Sequence, residues 1–357
     1  MNIQIAERLH PFSHLPGTTC LLPKTHLPIK VFPTRIQISS QLFLTVDLRG
    51  PIKGFTVELD LEKLLIRVFG KADTGYFCYV LKGQSDGILF TLEKLTQTSL
   101  TCRLSNQDYT LHKQESLLIP FSQHLSSQEC REQLSLGSHK KQDWELLKRR
   151  RNMMEIFPLW MRIGQLISST HSNERHGVYE LLEECRGSIH EHVKLEILPA
   201  FERLFLAGFD GIFVPRLYDT EFQGLVPFEE PRPTTPPPFA LLTESAALIR
   251  SMFFKEEGNT LFFLPCLPPD FHVGKMTHIQ TSAGDDIDFE WSKKQVRRVI
   301  LTVHSERKLQ FRFQKHLARC RVRKSLKDRG KSYTLLEGQL KLDLPHPCKL
   351  ILDRFEK

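Results

Sequence analysis

The chain has 357 residues, 40% hydrophobic and 25% charged, with a formal net charge of +8. That length and balance fit two or three folded domains and exclude a chain that is disordered throughout. The charge permits an anionic partner without requiring one, and no uncharged apolar run approaches the ~20 residues that cross a bilayer, so no membrane span is expected.

Prolines at 11, 16, 23, 28 and 33 punctuate residues 1–34. Proline fixes φ and removes a backbone donor, so this stretch reads as an extended arm. From 35 to 135 the pattern turns to period two. Ile36, Ile38, Leu42, Leu44 and Val46 alternate with polar neighbours, and short runs follow at Phe55–Leu61, Leu64–Phe69, Tyr76–Leu81, Ile88–Leu92, Leu100–Leu104 and Tyr109–Leu111. Turn residues such as Asp73-Thr74-Gly75 and Ser85-Asp86-Gly87 separate them. This predicts an N-terminal antiparallel β-sandwich.

Helical period covers 136–257. Trp144, Leu147, Met154, Phe157, Trp160, Ile163 and Ile167 predict a long helix or a broken pair with a kink at Pro158. Further helices are predicted at Val178–Cys185, His192–Leu206 and Phe239–Phe254. Glycines and prolines between them make 207–238 a long loop, a length that is usually functional or a linker. Strand patterns return over 258–357, predicting a C-terminal antiparallel β-domain. The fold class expected is α+β.

The segment after the last helix carries more than periodicity. Leu264-Pro265-Cys266-Leu267-Pro268 is followed by Gly274-Lys275-Met276, then Ile287-Asp288-Phe289-Glu290-Trp291, then a strand from Val296. In order and spacing, residues 239–315 resemble the close of the inverting α-L-fucosidase family, built on a six-hairpin α/α barrel. Gln223-Gly224-Leu225-Val226-Pro227 and Pro237-Pro238-Phe239 are similar to further segments of that family, as are Tyr179 to Glu183 and Leu198-Pro199. The resemblance implies a partial α/α-barrel-like helical layer and a saccharide ligand. A closed barrel of this kind needs twelve helices, whereas four or five are predicted here.

Inverting glycoside hydrolysis needs two carboxyl groups ~6.5–9.5 Å apart, one to protonate the leaving oxygen and one to activate water. The resemblance implies a base aspartate where the last helix begins. That position falls on Pro236, Ala240 or Leu242, none of which accepts a proton. The histidine-rich run of the family falls on Arg216, Tyr218 and Glu221, without a histidine. The carboxylates left as catalytic candidates are Asp210, Glu221 and Glu244. Phe209, Asp210, Tyr218, Asp219, Glu221 and Phe222 combine aromatic faces with hydroxyl-accepting carboxylates and are the candidate saccharide contacts.

Other constellations are weaker. His190-Glu191-His192 puts its imidazoles on different helix faces, so no metal and no cofactor are expected. Arg319, Arg321 and Arg323 share one face of a strand, but no nucleic-acid-reading motif accompanies them, and a solvated sheet edge accounts for them. Cys185 reads as a buried structural thiol. The eight cysteines, Cys20, Cys78, Cys102, Cys130, Cys185, Cys266, Cys320 and Cys348, show no metal-type spacing. That fits a reducing, cytoplasmic setting, and no signal-peptide pattern opens the sequence. The function expected is a glycosidase-like carbohydrate-binding protein, catalytically degenerate, with an oligosaccharide or glycoconjugate as partner. The alternatives are a non-enzymatic protein-interaction scaffold and nucleic-acid binding through 319–331.

Overall fold

The computed structural model describes residues 3–121, 125–126, 131–138, 140–168, 178–216, 239–325, 327–344 and 346–357. Its first strands are β1 (Phe12–Ser13), β2 (Thr18–Leu21), β3 (Pro28–Phe32), β4 (Arg35–Gln37), β5 (Phe43–Val46) and β6 (Lys53–Asp60). β7 (Leu65–Ala72), β8 (Gly75–Gln84), β9 (Gly87–Leu95), β10 (Ser99–Leu104), β11 (Gln107–His112), β12 (Ser116–Pro120) and β13 (Gln133–Ser135) follow. Apart from β13 they form two antiparallel sheets of six strands, in the orders β1-β6-β7-β8-β9-β12 and β11-β10-β5-β4-β3-β2. Alternation buries one face of most strands, while the central β8 buries Phe77 to Leu81 without a break, as a strand covered on both sides does.

The described residues 3–34 do not form the extended arm expected of 1–34. They supply three strands, and Cys20, Leu22, Ile29 and Val31 are wholly buried. The prolines stand where a strand tolerates them: Pro28 opens β3, and Pro11, Pro16, Pro23 and Pro33 fall in the connections. β13 also departs from the expected boundary at 135. It pairs with a C-terminal strand, Leu134 opposite Met276.

The helical layer comprises α1 (Trp144–Arg150), α2 (Met153–Gln165), α3 (Tyr179–His190), α4 (Ile197–Gly208) and α5 (Phe239–Phe253). The expected break lies at Arg151–Asn152 and not at Pro158, which falls inside α2. Arg151 turns left-handed at φ 51° to close α1, and the Asn152 side chain accepts from Met154 N to open α2. α4 begins at Ile197 and not at His192, because His192 takes φ 57° and ends the preceding helical turn. The hairpin β14 (Phe209–Asp210) and β15 (Val214–Pro215) occupies the start of the expected loop; 217–238 lie outside the described residues.

The C-terminal part holds β16 (Phe254–Glu257), β17 (Thr260–Phe263), β18 (Val273–Gln280), β19 (Asp286–Ser292), β20 (Gln295–Val303), β21 (Arg307–Arg312), β22 (Arg319–Arg323), β23 (Lys331–Thr334), β24 (Gln339–Leu344) and β25 (Cys348–Glu356). They build a sheet ordered β13-β18-β19-β20-β25-β22-β23 and a smaller one ordered β16-β17-β21-β24. The C-terminal strands are not wholly antiparallel as expected, since β17 runs parallel to β21, Leu261 opposite Phe311; helices with otherwise antiparallel sheets make this an α+β chain. Gly274 lies in β18, not in a turn. A Cβ there would stand 2.2 Å from Trp291 Cζ2, so glycine is what lets the indole lie against the strand.

Candidate functional site

The residues expected around 207–245 do not assemble into an open site among the described residues. Phe209 is 5% exposed, and its ring meets Trp160 edge-on at 4.8 Å. Its face is spent on the core. Asp210, its neighbour on β14, is exposed and accepts the Gly211 N–H at 2.7 Å. Glu244 lies on α5, where Arg186 Nη2 donates to it at 2.8 Å. Tyr218, Asp219, Glu221 and Phe222 lie outside the described residues.

Of the three positions that would carry a base, Pro236 lies outside the described residues and the other two are buried. Ala240 and Leu242 are 2% and 0% exposed. An aromatic cluster of Trp144, Phe157, Trp160, Phe201, Phe205 and Phe213 fills the interior beside them, with Phe157 to Phe201 at 5.0 Å and Trp144 to Phe213 at 5.1 Å. The Trp160 indole N–H finds its acceptor in Ser245 Oγ at 2.8 Å, so that buried polar group is satisfied as well.

Several of the clustered basic residues are engaged. β22 lies between β25 and β23, so it is not a sheet edge. Its Arg321 and Arg323 both contact Asp353 of β25, at 2.8 Å and 2.6 Å. Lys140 and Arg150 converge on the buried Glu155. His190 closes α3 and His192 sits in the left-handed turn after it. Of the seven described cysteines none forms a disulfide. Burial pushes the Cys185 thiol far up and those of Cys102 and Cys320 up to about 12. Such thiols are poor nucleophiles near neutral pH.

A polar cleft of about 420 Å³ opens elsewhere, where the N-terminal segment, α2 and the C-terminal sheet meet. Glu7, Glu62, Arg131, Gln133, Arg162 and His278 line it. Each comes from a different local cause. Leu9 and Pro11 carbonyls accept from Leu61 N and Leu59 N, which lays the N-terminal segment along β6 and brings Glu7 to the wall. Ser135 Oγ donates to Glu7 Oε2 at 2.8 Å and fixes that carboxylate. Gln133 is set opposite Thr277 by the β13–β18 register. A bulge in β18, where the register shifts between Met276 and Ile279, turns His278 to φ 57°. Bulges re-aim side chains in this way. Arg162 comes from α2, which is buried over most of its length, and is itself only 9% exposed.

None of these six residues stood among the expected site residues. They come from segments far apart in sequence, and no spacing links them. One signal was present: an arginine inside the apolar run Ile156–Ile167, where a charged side chain needs an explanation.

Neither the protein-family models nor the curated proteins contain a match to this chain. No described helix is long and apolar enough to cross a membrane.

Proposed function

We propose that this chain is a glycosidase-like scaffold that binds an oligosaccharide without turning it over. The observation that carries the reading is the occupancy of the base position. Ala240 and Leu242 are in the core, and Glu244, the nearest carboxylate on α5, faces Arg186. Among the described residues, none is poised there to take a proton from water. The saccharide half of the proposal rests on the resemblance over 239–315. Helix α5, the Leu264–Pro268 segment, β18, β19 and β20 follow one another in the expected order. Within this reading the two N-terminal sheets are the layers of a sandwich, the five helices are a cut-down α/α barrel, and the protein works in a reducing, cytoplasmic compartment.

The trial is direct. Aryl glycosides, incubated with the purified chain, should release no chromophore above background, while a glycan array should show retained oligosaccharides. Robust turnover would sink the non-catalytic half, and an array with no retained glycan would sink the other.

A protein-interaction scaffold is the second reading, favoured by one observation. Val193 and Leu195, in the turn between α3 and α4, are 41% and 75% exposed. Retention of one stable partner, lost on Leu195→Asp, would support it. Nucleic-acid binding has less behind it, because Arg321 and Arg323 already face Asp353.

A further inference from the structure

The cleft between the N-terminal segment and β18 has a chemistry that the helical layer lacks. Its rim and walls carry the guanidiniums of Arg8, Arg131 and Arg162 against the carboxylates of Glu7 and Glu62, with His278 beside them. Among the described lining residues, three formal positive charges stand against two negative before the imidazole is counted. Arg8 is mostly exposed and lies 4.0 Å from Glu62, so it belongs to the rim. Arg162 is the inner charge, projecting from a largely buried helix.

A guanidinium is a planar fork of donors matched to a carboxylate or phosphate. Glu62 and Gln133 add acceptors, the groups that read hydroxyl hydrogens. Among the described residues, no Phe, Tyr or Trp lines the cleft. A ligand held by stacking or by an apolar body therefore finds little there, whereas one that is both anionic and rich in hydroxyls finds a partner for each of its groups. The volume of about 420 Å³ lies within the usual range for small-molecule sites and suits one or two sugar rings.

We propose that this cleft binds an anionic sugar, a polyhydroxy ring bearing a carboxylate or phosphate, with Arg131 and Arg162 on the anion and Glu62 and Gln133 on the hydroxyls. The proposal rests on the saccharide-binding reading and adds the ligand class and the place. It also gives the selection a cause, because the planar donors of a guanidinium match a carboxylate or phosphate and bond it more strongly than a neutral hydroxyl.

Calorimetric titration of the full chain tests it, using glucuronate, glucose 6-phosphate, glucose and inorganic phosphate as the four probes. Glucuronate or glucose 6-phosphate should bind at least about tenfold tighter than glucose, and the binding should weaken as salt rises. Arg131→Gln changes an exposed residue, so it should weaken the acidic sugar about tenfold while shifting the stability of the unliganded protein by no more than a surface ion pair contributes. Arg162→Gln should do the same if it folds, and Arg131→Gln keeps the test decisive if it does not. Equal binding of glucose would overturn charge selection and leave saccharide binding standing. Phosphate binding as tightly as glucose 6-phosphate would reduce the cleft to an anion site and overturn the proposal. Acidic sugars that bind Arg131→Gln undiminished would move the ligand to another surface. If no probe binds, the proposal fails, and retention of neutral glycans on the array then decides whether the broader reading survives.

Discussion

Asp353 shows how one side chain can decide local electrostatics. It is 7% exposed on β25, with Arg321 Nε at 2.8 Å, Arg321 Nη2 at 3.0 Å and Arg323 Nη2 at 2.6 Å. Burial alone would push its carboxyl up. The Arg321 hydrogen bonds and the Arg323 charge outweigh burial and hold it below the ordinary carboxylate range. A carboxyl with a depressed folded-state value contributes stability in full above its unfolded value of ~3.9, and that contribution is lost as pH falls through the folded value. Asp353→Asn removes the carboxylate that both guanidiniums contact, and should cost about 3 kcal/mol at pH 7. Urea unfolding at pH 7 and again in strong acid checks both halves of the claim. The gap between native and variant chains should be wide at neutrality and narrow once the native carboxyl is protonated. A gap independent of pH would mean that the residue acts through shape and not charge.

The packing of α2 on α5 sets two familiar effects against each other. At Gly164 a Cβ would stand 2.4 Å from Ala246 Cβ and 2.7 Å from Leu242 O. Alanine in place of a mid-helix glycine gains ~1 kcal/mol of helix propensity. Overpacking a close helix contact costs ~1–3 kcal/mol, and here one of the crowded atoms is backbone and cannot rotate away. Gly164→Ala should therefore lower stability, and Ala246→Gly in the same chain should restore part of the loss. A rise in melting temperature for the single variant would show that the helices separate freely. Elements like these were well marked in the sequence where one periodicity ruled. The run at Ile88–Leu92 falls within β9, that at Phe55–Leu61 covers most of β6 and passes its end by one residue, and α5 lies within the expected Phe239–Phe254. The sequence was misleading where local punctuation outweighed pairing. Prolines spaced along 1–34 hid three strands: β1, which the distant β6 completes, Phe12 opposite Glu58, and β2 and β3, which pair with each other and with β4 across short turns. The cleft was illegible because Glu7, Gln133, Arg162 and His278 meet only after three layers have assembled. Arg162 alone stood out, as a charge within an apolar helix.

At the scale of the whole molecule, the segment from Ile3 to Phe12 is what ties the layers together. Its Leu9 and Pro11 carbonyls bind β6, its Gln4 carbonyl accepts from Lys275 Nζ of β18, and Glu7 holds Ser135 of β13. Gln142, just before α1, clasps it from the helical side: Nε2 donates to the Arg8 carbonyl at 2.9 Å, and Oε1 accepts the His10 N–H at 2.7 Å. Ile3 and Leu9, at 5% and 6% exposure, anchor the segment on the core. Gln142→Ala removes both clasping bonds and leaves these anchors in place. At about 1 kcal/mol for each net hydrogen bond, it should cost about 2 kcal/mol, felt mostly as local opening and less as global unfolding. Amide hydrogen exchange separates the two. The Leu59 and Leu61 N–H groups, which donate to the segment, should exchange faster by roughly the factor that this energy implies, ~30-fold, while the amides of the central strand β8 hold their protection. Because Glu7 and Arg8 form one wall of the cleft, the same variant should also weaken whatever the cleft binds. Unchanged exchange at Leu59 and Leu61 would mean that the anchors suffice and that the clasp contributes nothing to holding the layers together.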